Sequence, residues 1–280
     1  MVLEPEDLGK RKSDLAQELR RLRRQAGLTG DRLAARAGMS QSKISKIETG
    51  KILPSLLDVE RLLRALGAEP RVVEELSALA RRANTDYQDW KASLRRGLHH
   101  KQQELATLEA TSSRFRYFLP AMITGLLHTP EYARASLATT RGDHSKAIAR
   151  RLDRQAVLYE EDKHFTFILT EQALRWPLCR GKAMSVQMGR LSSLSELPNV
   201  RIGVIPLRSS PIPEGPLTTF TIYDDALATV EMFTGALLLR DPRDVHYYLE
   251  LFASFERAAL FDGAARGFIA NIAEDFRNQS

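Results

Sequence analysis

Apolar residues at Leu15, Leu19, Leu22 and Ala26 follow a spacing of i, i+4, i+7 and i+11, which lines one stripe of a helix. A second, shorter helix is expected over 30–37, with Leu33, Ala34 and Ala37 inward and Thr29 as its N-cap. Gly38 then permits the left-handed backbone that a sharp interhelical turn needs. Ser40 caps a third helix over 41–49, whose Ile44 and Ile47 face a core. That leaves Gln41, Ser42, Lys43, Ser45 and Lys46 on the outer side. Leu56, Val59, Leu63 and Leu66 mark a fourth helix over 56–66, stopped by Gly67. Pro70 opens a fifth over 71–82, carrying Val72, Val73, Leu76 and Leu79 or Ala80.

The pattern changes beyond residue 83. Residues 84–97 have no clean apolar period and read as a connector, with Trp90 either an ordinary partly buried tryptophan or a packing anchor between domains. Helices follow over 98–112 and 143–159, then a strand over 164–169 (HFTFIL) and a short helix capped by Thr170 with Glu171 in its first turn. A helix over 181–197 precedes a strand over 200–205. Strands over 217–223, 226–233 and 236–239 read as a meander, with Asp224-Asp225 and Thr234-Gly235 as turns. Helices over 242–260 and 263–276 close the chain. These elements predict an all-α domain over 1–83, the connector over 84–97, and an α+β domain over 98–280 with a mainly antiparallel sheet.

The order of helix, glycine turn and capped third helix with a polar outer edge is that of a DNA-binding helix-turn-helix. Near the start of the third helix, Gln41 can present its amide to adenine N6 and N7, and Ser42 can donate or accept. Lys46, one turn on, reaches a guanine edge or a phosphate. Thr29, Gly30, Lys43, Ser45, Thr49 and Lys51 complete the expected contact set. Lys43, Thr49 and Lys51 face the backbone, where they position without reading sequence. Charge agrees. Residues 10–51 hold 12 Lys and Arg against 4 Asp and Glu, a balance of +8, whereas the whole chain carries +6, so the remainder is net negative. A localised basic segment is the electrostatic footprint of phosphate contact.

Two resemblances follow from these residues. Leu28-Thr29, Leu33-Ala34, Gly38, Ser40-Gln41, Ile44-Ser45, Ile47-Glu48, Gly50-Lys51 and Pro54-Ser55 resemble the phage-repressor-like (Xre-type) helix-turn-helix regulators. In that class Glu48, Gly50 and Pro54 close the recognition helix and start the next one. Gly30 departs from it, standing where the class usually has a glutamine that grips a phosphate. A backbone N–H at the helix start keeps part of that contact. Further along, Glu109, Pro120, Gly125-Leu126-Leu127, Thr129, Glu131-Tyr132, Arg154-Gln155, Glu171, Leu174, Pro206 and Glu231 resemble an actinobacterial regulator family. Its members join a helix-turn-helix head to an antitoxin-like C-terminal domain. The resemblance implies double-stranded DNA as partner, a homodimer, and a small protein encoded nearby. A departure comes after Ala259-Leu260, where Phe261-Asp262-Gly263-Ala264 replaces a serine- and glutamate-bearing segment.

Length and composition fit two cores in a cytoplasmic protein: 280 residues, 43% hydrophobic. No apolar run approaches the ~18 residues of a membrane span, and the first residues lack the apolar centre of a signal peptide. A single cysteine, Cys179, excludes an intrachain disulfide and is expected to be a plain buried thiol. The histidines (99, 100, 128, 144, 164 and 246) show no ligand spacing and are expected at the surface. Arg81-Arg82, Arg95-Arg96 and Arg150-Arg151 read as solvated helix faces, or secondarily as aids to DNA contact. Arg154, Gln155 and Glu171 stand either as an ion pair organising helix against sheet or as a pocket for a ligand or partner. Glycine-rich phosphate loops are absent, and no catalysis, metal or cofactor is expected.

Overall fold

The computed structural model describes residues 5–89, 98–138, 143–208, 212 and 214–278, so Trp90 and the rest of 90–97 lie outside it. The chain forms two compact units. One comprises Met1–Gln88 with Leu237–Asp244, the other Asp89–Ala236 with Val245–Ser280.

In the first unit, α1 (Pro5–Gln25), α2 (Gly30–Ala37), α3 (Gln41–Glu48), α4 (Leu56–Leu66) and α5 (Pro70–Asn84) surround one core. Leu15, Leu19, Leu33, Ile44, Ile47, Val59, Leu62 and Leu63 fill it. Side-chain caps start α2 (Thr29 accepting from Arg32 N), α3 (Ser40 from Lys43 N) and α4 (Ser55 from Asp58 N). Each satisfies one of the amides that a helix start leaves without an intrahelical partner. Gly38, at φ 62°, makes the left-handed turn between α2 and α3. Ala26 falls beyond α1 and is exposed, so the stripe ends at Leu22.

Residues 85–89, within the span read as a connector, form strand β1 (Thr85–Asp89). Its neighbour is a later strand, β7 (Gly235–Leu239). A partner about 150 residues away leaves no local trace, which is why periodicity missed β1. The chain passes from the second unit into the first within β7, and Asp241 then settles into the first unit. Only 5% exposed, Asp241 accepts the Leu56 amide of α4 at 2.8 Å through one carboxylate oxygen and the Arg243 amide at 3.0 Å through the other.

The second unit contains α6 (Leu98–Thr111), β2 (Arg114–Leu119), α7 (Pro130–Ala135), α8 (Ser145–Asp153), β3 (His164–Thr170), α9 (Glu171–Arg175), α10 (Gly181–Leu194), β4 (Val200–Ile205), β5 (Phe220–Tyr223), β6 (Leu227–Met232), α11 (Pro242–Ala258, its first turn in the other unit) and α12 (Asp262–Asn278). Its strands run in the order β6-β5-β2-β3-β4. The sheet is mixed, which corrects the mainly antiparallel expectation. β2 pairs with β3 and β3 with β4 in parallel, while β2–β5 and β5–β6 are antiparallel. The reason lies in the connections: each parallel step crosses through helices, as parallel pairing requires, and only the later strands are joined by short turns. β2, β3 and β4 are also buried nearly throughout, as a sheet covered on both faces demands. In-register Phe115 and Phe165 stack at 4.5 Å between ring centroids.

The departure at 259–264 has a structural account. Leu260 pairs with Val204 through two backbone hydrogen bonds of 2.8 and 2.9 Å, covering the edge of β4. Phe261 then lies on Gly203, where a Cβ would stand 2.6 Å from its ring. Among the described residues, no helix is long and apolar enough to cross a membrane.

Candidate nucleic-acid interface

The outer edge of α3 is built by its inner edge. Ile44 and Ile47 are anchored in the core at 2% and 0% exposure, so helical geometry turns Gln41, Ser42, Ser45 and Lys46 outward, and all four are exposed. A bidentate ion pair holds the helix in place. Arg23 of α1 donates to Glu48 at 2.6 and 2.8 Å, and its remaining Nη1 donates to the Leu28 carbonyl at 2.8 Å. One guanidinium thus ties α1, the α1–α2 turn and the end of α3 together, and its hydrogen bonds to the Glu48 carboxylate raise its pKa above the ordinary value. Thr49 donates its hydroxyl to the Ser45 carbonyl at 2.7 Å, closing the last turn of α3.

Beside this edge lies a shallow depression of about 240 Å³, lined by Arg20, Arg23, Gly30, Gln41, Ser45, Glu48 and Thr49 among others. A Cβ on Gly30 would meet the Gln41 amide nitrogen at 3.7 Å, so that amide lies against the start of α2. The N-terminus of α2, the Gln41 amide and Arg20 therefore face one space, an arrangement suited to an oxyanion. Arg20 and Arg23 escaped the sequence reading. Their i, i+3 spacing on α1, flanking the apolar stripe, is the only local sign of a shared face.

The remaining predicted residues divide by what they touch. Thr29 is exposed and spends its hydroxyl as the α2 cap, accepting from Arg32 N at 3.3 Å. Lys43 differs from expectation: its ammonium lies 2.7 Å from the Asp58 carboxylate of α4, so it is held between helices. Asp58 also completes a capping box, accepting the Ser55 amide at 3.2 Å. Lys46 and Lys51 are exposed and, among the described residues, have no carboxylate within ion-pair distance.

Arg154, Gln155 and Glu171 of the second unit each bond to different partners. Arg154 is paired in a bidentate manner with Glu109, one bond at 2.9 Å and a second to the other carboxylate oxygen. Glu171 accepts from Arg175 at 2.6 Å and from the Leu207 amide at 2.9 Å. Those bonds and the positive charge of Arg175 hold its carboxyl below the usual range against the opposing effect of burial. Gln155 donates to the Gly125 and His128 carbonyls at 3.1 and 2.8 Å. His128, expected at the surface, is 2% exposed and donates Nε2–H to the Ile123 carbonyl at 2.9 Å. Cys179, expected buried, is half-buried, and its thiol is pushed up by partial burial and by Glu131.

Residues 14–76 match a helix-turn-helix domain, and residues 102–271 match a domain of unknown function, DUF5753. The chain belongs to the DUF5753 family. The helix-turn-helix head is 41% identical over 51 residues to an uncharacterized HTH-type transcriptional regulator of Methanothermobacter thermautotrophicus, covering 18% of this chain and 74% of the relative. It is 43% identical over 47 residues to the uncharacterized HTH-type transcriptional regulator y4dJ of Sinorhizobium fredii, covering 17% of this chain and 61% of the relative. Among solved structures, Nuc of Salmonella typhimurium, a phospholipase D family member, aligns with 64% of this chain and 97% of its own at 8% identity. Its TM-score of 0.37 carries no inference about chemistry. The DUF5753 match includes residues 237–244, so a stretch of that domain's sequence folds with the DNA-binding unit.

Proposed function

We propose that this DUF5753 protein is a cytoplasmic, sequence-specific transcriptional regulator and not an enzyme. It reads operator DNA through the outer edge of α3, while its second unit receives a small partner protein or ligand. The observation that carries the reading is the exposed polar edge Gln41, Ser42, Ser45 and Lys46, fixed from behind by Ile44, Ile47 and the Arg23–Glu48 pair. Gln41 and Ser42 address base edges, Lys46 a guanine edge or a phosphate. Gly30, Thr29, Ser45, Thr49 and Lys51 line the backbone path. One helix-turn-helix contacts few base pairs, so the active form is a homodimer on a palindrome with half-sites about 34 Å apart.

The test is substitution in the full chain, with binding measured on cognate and scrambled duplexes over a range of salt. Gln41→Ala costs about 1–3 kcal/mol on the cognate site and relaxes base preference. Lys51→Ala weakens every sequence alike and lowers the salt slope by about 1. Equal losses on both duplexes for Gln41→Ala overturn the assignment of base reading to this edge.

A further inference from the structure

One end of the second unit's sheet collects exposed apolar side chains. β2, β3 and β4 run in parallel. Two antiparallel steps, β2 to β5 and β5 to β6, return β6 to the direction of β2. The exits of β2, β3, β4 and β6 and the entry to β5 therefore share one end of the sheet. Met122 lies three residues past β2, whose exit is fixed by the Thr170 hydroxyl donating to the Pro120 carbonyl at 2.7 Å. Trp176 closes the short α9 that continues β3. Leu207 lies two residues past β4, its amide donating to Glu171 at the start of α9. Leu217 stands three residues before β5, and Met232 and Phe233 end β6.

All six are exposed, Leu207 at 66%, Leu217 at 90% and Phe233 completely. Among the described residues ten large apolar side chains are exposed, so more than half of them stand at this one end. Scattered singly, such residues carry no message; gathered in a row, they mark an interaction surface. In the strand order β6-β5-β2-β3-β4 the row reads Phe233, Leu217, Met122, Trp176, Leu207, about 20 Å long at the usual strand spacing. At roughly 200 Å² for a fully exposed large side chain, the six present roughly 800 Å². That equals the area each partner buries in a stable interface, about 800 Å².

The charges at the two ends of the row identify the occupant. Glu231 is exposed on β6 at one end, and Arg208 is exposed beside Leu207 at the other. Among the described residues neither has an opposite charge within ion-pair distance; beyond that distance Glu231 acts on Arg151 and Arg208 on Glu171. A row that is acidic at one end and basic at the other complements itself when turned about a two-fold axis. An isologous contact sets residue i against j and j against i. β2 is the middle strand of the five, so such an axis passes near Met122 and brings Glu231 of each copy to Arg208 of the other.

From this arrangement we propose that this end of the sheet is a homodimer interface, occupied by a second copy of the chain. The proposal rests on the reading that the active form is a homodimer and names the face that joins the copies. It does not depend on which bases α3 reads.

The test is the oligomeric state of the full chain without DNA, measured by sedimentation velocity over a range of concentrations. Wild type is expected to dimerise with a Kd in the micromolar range or tighter. Glu231→Arg and Arg208→Glu each set like charges against one another, twice per dimer, and should each raise that Kd about tenfold or more. Combining Glu231→Arg with Arg208→Glu restores both pairs in the opposite sense. The double variant should return to within about threefold of wild type, which a local effect of either residue would not produce. Phe233→Ser removes the most exposed apolar side chain and should also raise Kd about tenfold or more. All these substitutions fall at exposed positions, and far-UV circular dichroism should show the fold unchanged in each variant. Wild-type Kd in both single reversals, no recovery in the double variant, or a wild type that stays monomeric overturns the interface. In the first two cases the homodimer reading stands and only the face is wrong. A monomeric wild type that also binds the operator duplex as one copy ends the homodimer reading as well.

Discussion

Acidification from pH 7.5 to 5.0 is expected to destabilise the second unit through one side chain, His128. Its imidazole is 2% exposed and spends its single N–H on the Ile123 carbonyl. Its other nitrogen faces Arg151, so a second proton would have no acceptor and would sit beside a cation. Burial first, and Arg151 second, lower its pKa from 6.5 to about 3. The unfolded chain therefore takes up a proton that the folded chain refuses, and stability falls as pH drops below about 6.5, continuing until about 3. Between those values the loss is about 1.4 kcal/mol per pH unit below 6.5, or about 2 kcal/mol at pH 5. That corresponds to about 4–8 °C in Tm for a unit of this size. Carboxylates held below their usual range, such as Glu171 and Asp224, lose stability only below the ordinary carboxylate pKa, outside this window. The assay is calorimetric unfolding of wild type and His128→Gln at several pH values between 7.5 and 5.0. A glutamine amide still donates to Ile123 and still accepts from Arg151, but does not titrate. The pH-dependent loss should be present in wild type and nearly absent in the variant. Equal slopes in both proteins, or an NMR titration placing the His128 pKa near 6.5, would refute the reasoning.

Three further outcomes test other parts of the molecule. Asp241→Ala leaves the Leu56 amide at the start of α4 without its acceptor and should cost the first unit about 1–3 kcal/mol in urea unfolding. DNA affinity measured well below the transition should stay unchanged. Lys163, 5% exposed, donates from its ammonium to the carbonyls of Glu109 and Ser112 at 2.7 and 2.9 Å, capping the end of α6. Lys163→Met removes that cation and should lower stability by about 2 kcal/mol, with faster amide exchange in the last turn of α6. Arg23→Met leaves Glu48 buried without its partner. It should weaken DNA binding more than Arg21→Met, because Arg21 pairs only with Glu18 on its own helix.

The helix-turn-helix was legible because each of its signals is local. Thr29 and Ser40 cap the amides three positions ahead, Gly38 meets a backbone requirement of its own turn, and Ile44 and Ile47 fix which side of α3 faces out. The pairing of Lys43 with Asp58 was not legible because Asp58 belongs to another helix. Arg20 and Arg23 were missed because a basic residue near a helix end looks the same whether it meets solvent, a carboxylate or a phosphate.

The amino-acid order by itself determined the helices, their caps, the polar edge of α3 and the concentration of positive charge at the N-terminal end. All of these arise from residues within a few positions of one another. Only the tertiary structure decided the parallel pairing of β2, β3 and β4, the return of Asp241 to the first unit, and the burial of His128 and Arg151. Each of those depends on a contact between distant parts of the chain. Strand direction is set by how crossovers pack, and the fate of a charged side chain by which groups surround it. Neither quantity is written in the neighbouring residues.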